Sequence, residues 1–327
     1  MRAILAGILV LMALIATAIA QQSKEAQIPT DSAIIKVDVE LVSVLFSVRD
    51  KRGGLIANLS QDDFEVLEDG KEQPIRAFTR ETDLPLTIGL LVDVSRSQEN
   101  LIEIERRAAA QFFKHVLRPK DMAFLISFGH EAELLQDYTN SAKLLTAALE
   151  ELRVDAQVGG LHPGPVPTAS RPRGTILFDS VYLAANEKLK REVGRKTIVL
   201  ITDGVDQGSR IKLREAIDTA HKSDTIIYSI YYVDWRAYGA FAPGDGDLRR
   251  MSEDTGGRVY RVERKYPLDV IFQELQQELR SQYSLAYSST NPARDGGFRK
   301  IEIRPKNKDY RVQARKGYFA QPPAGSR

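Results

Sequence analysis

A near-continuous apolar run, Leu86-Thr87-Ile88-Gly89-Leu90-Leu91-Val92, ends on Asp93-Val94-Ser95-Arg96-Ser97. A strand without polar alternation has to be covered on both faces, which is the habit of parallel sheets flanked by helices. The residues that close this strand put a carboxylate and two hydroxyls on the first turn beyond it. The pattern recurs downstream: Thr197-Ile198-Val199-Leu200-Ile201-Thr202 runs into Asp203-Gly204, and Thr175 opens a helical pattern. Asp93, Ser95, Ser97, Thr175 and Asp203 are hard oxygen donors on three loops. Such a set suits a hard divalent cation, Mg2+ or else Mn2+ or Ca2+. Each piece alone has a plainer reading, since Asp and Ser also cap helices and Asp-Gly also makes turns. Their recurrence at equivalent strand ends favours the metal.

The strands and helices around these loops alternate from Leu84 to about Leu279. Strands are expected at 86–92, 122–128, 196–202, 225–232 and 257–261, with a short edge strand near 132–136. Helices are expected at 101–117, 141–152, 176–190, 212–222 and 268–282. The first helix carries Leu101, Ile104, Ala108, Phe112 and Val116 at helical spacing, with Glu103, Arg106 and Arg107 opposite. Alternation of this kind implies an α/β domain at 84–280, a mostly parallel sheet with helices on both faces. Its ligands bind outside the carboxyl ends of the strands.

The flanking segments are β in character. In 34–82, Ile35, Val37 and Val39 alternate, Val44 to Val48 follow, and Glu68-Asp69-Gly70-Lys71 is a hairpin turn. In 282–320, Tyr283, Leu285 and Tyr287 alternate, as do Tyr310, Val312 and Ala314. Each piece is too short to stand alone, but together they supply about seven strands, enough for a small sandwich. The α/β domain is then expected as an insertion in that sandwich. Residues 321–327 form a tail.

Composition narrows the function. The chain of 327 residues has 46 basic and 44 acidic residues, a net charge of +2, so no field for nucleic acid is expected. It has no cysteine, which excludes disulfides, thiolate metal sites and a cysteine nucleophile. Met1-Arg2, an apolar run and Thr17-Ala18-Ile19-Ala20 read as a signal peptide over 1–20, cleaved before Gln21 and followed by a polar linker over 21–33. The competing reading is an uncleaved anchor, because Ala3 to Ala20 is 18 residues, the lower edge for a span. Either reading puts the rest of the chain outside the cytoplasm, in a secreted, periplasmic or envelope setting, and membrane contact is expected only for the anchor. Four histidines lack any paired spacing, and the common nucleophile, P-loop and dinucleotide motifs are missing. A metal-dependent hydrolase would have Asp206 alone as its nearby base. No enzyme is expected.

Asp93-x-Ser95-x-Ser97, Thr175 and Asp203-Gly204 resemble the metal-ion-dependent adhesion site of von Willebrand factor type A domains. Val48-Arg49-Asp50-Lys51-Arg52-Gly53, the segment from Leu59 to Gly70, Gln73-Pro74-Ile75-Arg76-Ala77-Phe78, Ser281 to Tyr287 and Arg311 to Tyr318 resemble the flanks of a bacterial VWFA-related family. The resemblance spans essentially all of the mature chain. It implies a Rossmann-like α/β fold in which Ser95, Ser97 and Thr175 hold the cation through hydroxyls, and Asp93 and Asp203 directly or through water. The implied role is adhesion: an acidic group, an exposed Asp or Glu of a protein partner, completes the shell. Two departures are visible. Arg96 stands where many relatives have a small residue, and Arg173-Gly174 where they often have two glycines.

Only two full negative charges face a divalent ion in this set, so the ion stays electrophilic. Metal-free, Asp93 and Asp203 are expected to raise each other's pKa across a partly dry cleft. Further candidates are Asp179, one turn after Thr175, to orient it, and Asp206 beside Asp203. Two loops are expected to shape ligand choice: 158–174, and 234–247 with Trp235, Tyr238 and Phe241. The rival functions are an assembly subunit of an envelope complex, with the metal only stabilising, and the hydrolase.

Overall fold

The computed structural model describes residues 41–80, 84–154, 174–238 and 243–321. The signal segment, the linker, Ile35 to Val39, most of the 158–174 loop, Phe241 and all but the first residue of the tail lie outside the described residues. Among those described, no helix is long and apolar enough to cross a membrane.

The first antiparallel strands are β1 (Leu41–Arg49), β2 (Phe64–Glu68), β3 (Lys71–Gln73) and β4 (Ile75–Arg80). Six strands then build the central sheet: β5 (Leu86–Asp93), β6 (Met122–Phe128), β7 (Ala132–Thr139), β8 (Arg195–Thr202), β9 (Thr225–Tyr231) and β10 (Val259–Arg261). Their order is β10-β9-β8-β5-β6-β7. All pairs are parallel except β6 with β7. Every residue of β5, β8 and β9 is buried, as strands without alternation require. Gly89 sits inside β5 because a Cβ there would lie 2.4 Å from the Phe124 ring.

Helices cover both faces. They are α1 (Ile102–Val116), α2 (Ala142–Leu149), α3 (Leu177–Leu183, continued by a π turn over Ala184–Leu189), α4 (Leu213–Lys222), α5 (Trp235–Tyr238), α6 (Gly246–Thr255) and α7 (Leu268–Leu279). Leu90 and Val92 face a core built with α1, α2 and α7. Leu91 faces a second core built with α3, α4 and α6. Adjacent residues of one strand thus serve opposite layers.

The chain runs from β5 outward through β6 and β7, then returns to β8 and runs outward the other way. The order reverses between β5 and β8, and that is where open α/β sheets bind ligands. Asp93 closes β5 and Asp203 follows β8, one on each side of this point.

The remaining strands are β11 (Tyr283–Ser288), β12 (Phe298–Pro305), β13 (Arg311–Ala314) and β14 (Gly317–Phe319). They form two four-stranded antiparallel sheets with the first strands, ordered β13-β1-β11-β4 and β14-β12-β2-β3. One core of Val44, Phe46, Phe64, Val66, Tyr283, Leu285, Ile301 and Ile303 draws on both sheets. Arg80, at the end of β4, pairs with Tyr283 at the start of β11. The chain therefore leaves and re-enters this region at neighbouring positions.

Two expectations are corrected. The buried face of α1 is Ile102, Glu105, Ala109, Phe112, Phe113 and Val116, while Ile104 is 41% exposed. The rest of the expected stripe holds: Leu101, Phe112 and Val116 are buried and Ala108 packs against the core. Helices α5 and α6 occupy ground expected to be loop at its start and unassigned after it. Helix α6 opens on Gly246 and buries only Leu248 and Met251 as large apolar residues, so its periodic signal is weak.

Candidate metal centre

Asp93 is fully buried at the end of β5. Its Oδ2 accepts from the Thr202 hydroxyl at 2.6 Å and its Oδ1 from the Ser95 amide at 2.9 Å. These bonds fix the carboxylate against the end of β8 and turn the chain sharply. The Ser95 and Ser97 hydroxyls then lie 3.0 Å apart, and Ser97 Oγ donates to Asp203 Oδ2 at 2.6 Å. Neither serine caps a helix. Ser95 stands at the N-cap position of the 3-10 turn over Arg96–Gln98 and Leu101 at that of α1, with no side-chain cap bond at either. The hydroxyls are spent on the oxygen cluster, which removes the plainer reading of this motif.

Thr175 arrives by another route. Its neighbour Ile176 donates to Gly129 O at the end of β6 (2.8 Å), and its own carbonyl accepts from Gln207 and Gly208 at 3.0 Å each. Thr175 is nearly buried. Among the described residues no hydrogen bond joins its hydroxyl to the other four, so the structure brings together Asp93, Ser95, Ser97 and Asp203 and ties Thr175 to the loop after Asp203 through its backbone carbonyl. The approach is close: a Cβ on Gly208 would lie 2.6 Å from Gly174 O, and Gly174 has φ +143°. Arg173 lies outside the described residues. Thr175 caps nothing either, because α3 starts after Ile176 without a side-chain cap bond. The first turn of α3 is held from the Asp203 loop instead, where Asp206 Oδ1 and Ser209 Oγ accept from Phe178 N at 3.2 and 3.0 Å.

Asp179 does not orient Thr175. Its carboxylate accepts from the amides of Arg210 (3.0 and 3.1 Å) and Ile211 (3.0 Å), tying α3 to the Asp203 loop. Arg96 is exposed on the 3-10 turn. Trp235 is 62% exposed. Its ring lines a groove of about 520 Å3 with Ile104, Arg107 and Leu268, and none of the five oxygen-bearing residues lines that groove.

Two neighbours of the cluster escaped sequence reasoning. The Tyr238 hydroxyl donates to Asp203 Oδ2 at 2.7 Å; the sequence marked it only as a loop aromatic. Glu105 is fully buried, and neither of its carboxyl oxygens has a hydrogen-bond partner among the described residues. Its spacing from Ile102, Ala109 and Phe112 puts it on the apolar stripe of α1, and that was a readable signal.

Burial, then the charge of Asp203, pushes the Asp93 carboxyl up to about 7, against the pull of its bonds from Ser95 and Thr202. Burial, then Asp93 and Asp203, pushes Glu105 well above the carboxylate range. Three acidic side chains therefore share one dry region, and a positive charge is what it lacks.

Two separations in the cluster are compatible with a small divalent ion. Octahedral Mg2+ holds oxygens at about 2.0–2.1 Å, which sets neighbouring ligands about 2.9 Å apart. The Ser95–Ser97 and Ser97–Asp203 separations are 3.0 and 2.6 Å. Hydrogen-bond spacing and ligand spacing coincide, so the same side chains can turn lone pairs to a cation with little backbone movement. Among the described residues no group of three or more His, Cys, Asp or Glu could hold a metal. A site built from the described residues would therefore draw on hydroxyls as well.

No protein-family model matches the sequence, and no curated protein does. Solved structures are similar only distantly. BatB from Bacteroides thetaiotaomicron is 15% identical, over 59% of this chain and 97% of that one, at TM-score 0.44. An aerotolerance-related membrane protein from Bacteroides fragilis is 16% identical, over 59% and 98%, at 0.42. Proximal thread matrix protein 1 of the mussel byssus, solved with a zinc-occupied MIDAS motif, is 14% identical, over 66% of this chain and 50% of that one, at 0.47. At these scores the likeness carries no argument about the site, which stands on its own atoms within a mixed α/β fold around a mostly parallel six-stranded sheet.

Proposed function

We propose that this chain is an exported, adhesion-type binding module of the von Willebrand factor type A kind. A divalent cation, Mg2+ or else Mn2+ or Ca2+, is held by Asp93, Ser95, Ser97, Thr175 and Asp203, and an acidic group of a protein partner completes its shell. The observation that carries the reading is the cluster at the β5–β8 switch point, where two serine hydroxyls that cap no helix meet two aspartates from separate strands. The bound ion would supply an electrophilic centre for a carboxylate. The chain's residues do the rest. Thr202 and the Ser95 amide hold Asp93 in place. Ser97 links the two loops, and the hydroxyls add oxygens without charge, so the ion is not quenched. In this reading the two antiparallel sheets form a sandwich and the α/β unit is its insertion, supported by the pairing of Arg80 with Tyr283.

The hydrolase reading has less support, because Asp206 Oδ1 already accepts from Phe178 N and the Ser209 hydroxyl. Calorimetric Mg2+ titration of the wild type and Asp93→Ala tests the site. Binding in the first and none in the second is expected, and equal titrations would refute it. Pull-down from an envelope extract with and without chelator tests adhesion. A partner set indifferent to chelator would favour the assembly subunit.

A further inference from the structure

We propose that the Tyr238 phenol is the resident occupant of the cation's open corner, so that the site is self-capped and an acidic group has to displace Tyr238 to reach the ion. This rests on the metal reading above. Tyr238 Oη lies 2.7 Å from Asp203 Oδ2 and also interacts with the Ser97 hydroxyl. Those two atoms are one 2.6 Å edge of the donor cluster. An oxygen that close to both ends of such an edge would be within reach of an ion held there. Four protein oxygens are already drawn together by the loops after β5 and β8. Tyr238 comes from neither; it lies on α5, which follows β9.

The contact is built, not incidental. Tyr238 ends the single turn of α5, and its amide donates to Asp234 O at 3.3 Å. The Asp234 carboxylate accepts from the Arg236 amide at 2.9 Å and from Asn100 Nδ2 at 2.7 Å. Asn100 lies directly after the Asp93–Ser97 turn. The segment that supplies the ligand hydroxyls therefore also anchors the helix that supplies the phenol. A phenol is neutral and weakly donating, so a carboxylate can replace it with a gain in charge pairing. That is the property expected of a cap that yields to an acidic partner and excludes neutral ones.

The test is a Mn2+ titration followed by water-proton relaxation, on the wild type, Tyr238→Phe and Asp93→Ala. At saturating Mn2+, Tyr238→Phe is expected to gain relaxation enhancement per bound ion equal to roughly one extra exchangeable water. Acetate, as the carboxylate probe, is expected to suppress that gain in the variant at lower concentration than it acts on the wild type. Mg2+ is expected to perturb the tyrosine ultraviolet spectrum of the wild type and not of Tyr238→Phe. Equal relaxation per bound ion in both proteins overturns the cap. So does weaker Mn2+ binding in Tyr238→Phe at unchanged relaxation, which makes Tyr238 a positioning residue for Asp203. Wild type and Asp93→Ala that bind Mn2+ alike, or not at all, overturn the metal reading itself and the cap with it.

Discussion

Glu105 and Glu278 are both completely buried, and their surroundings are opposite. Glu278, near the end of α7, accepts from the Ser47 hydroxyl at 3.0 Å, the Arg49 guanidinium, Tyr228 Oη at 3.2 Å and Tyr260 Oη at 3.1 Å. It joins the last helix of the α/β unit to β1 and is paired on every side. Glu105, on α1, has no partner for either oxygen among the described residues and sits in the field of Asp93 and Asp203. A buried polar group is normally satisfied, and an orphan marks a place where something other than stability sets the residue. Glu278 reads as architecture. Glu105 reads as part of a site prepared for a positive charge.

The sharpest way to break the contrast is to remove each carboxylate. Glu278→Leu strands the Arg49 guanidinium and three hydroxyls, and a loss of about 3–5 kcal/mol is expected in denaturant unfolding. A loss under about 1 kcal/mol would mean that the network is decoration. The metal comes next in size. Mg2+ at a hundred times its dissociation constant is expected to stabilise the wild type by about 2.7 kcal/mol and Asp93→Ala not at all, read from the same unfolding curves. Glu105→Met is expected to act in the opposite sense to Glu278→Leu. Without metal it should stabilise by about 1–3 kcal/mol, since an unsatisfied buried acid is replaced by an apolar side chain of similar volume. A destabilised Glu105→Met would show that the orphan is satisfied after all.

The smallest effect is a pH dependence. Asp93 titrates near 7 in the folded chain and near 3.9 when unfolded, so between those values the folded state holds more protons. Its contribution to metal-free stability is fully present below about pH 3.9 and is lost as pH rises toward 7. Asp93→Asn is expected to flatten that part of the profile in thermal melts with chelator. Because a cation competes with the same proton, Mg2+ affinity is expected to fall about tenfold per pH unit below 7. An affinity independent of pH between 5 and 7 would remove Asp93 from the ligand set.

Much of the fold could be read from local pattern. The central strands are apolar throughout because both faces are covered, so β5, β6, β8 and β9 stood within a residue or two of their observed bounds. The Asp-x-Ser-x-Ser turn was legible because two hydroxyls and a carboxylate at a buried strand end have few uses. Helix α1 stood within a residue of its observed bounds; Leu101, Phe112 and Val116 of its expected stripe are buried, and only Ile104 is exposed, with Ile102 and Glu105 on the buried face instead. Helix α6 escaped because a short helix with two large buried apolar residues leaves almost no period.

What the amino-acid order determined by itself was the alternation of buried strands with amphipathic helices and the oxygen-bearing side chains offered at their ends, since burial and side-chain chemistry are local properties. What only the tertiary structure decided was which donors meet. Thr175 docks through its backbone, Asp179 turns to the amides of Arg210 and Ile211, and Tyr238 reaches Asp203 across 35 positions of sequence. Those meetings depend on the order of strands in the sheet and on loops crossing one switch point, and distance along a chain says nothing about distance across a sheet.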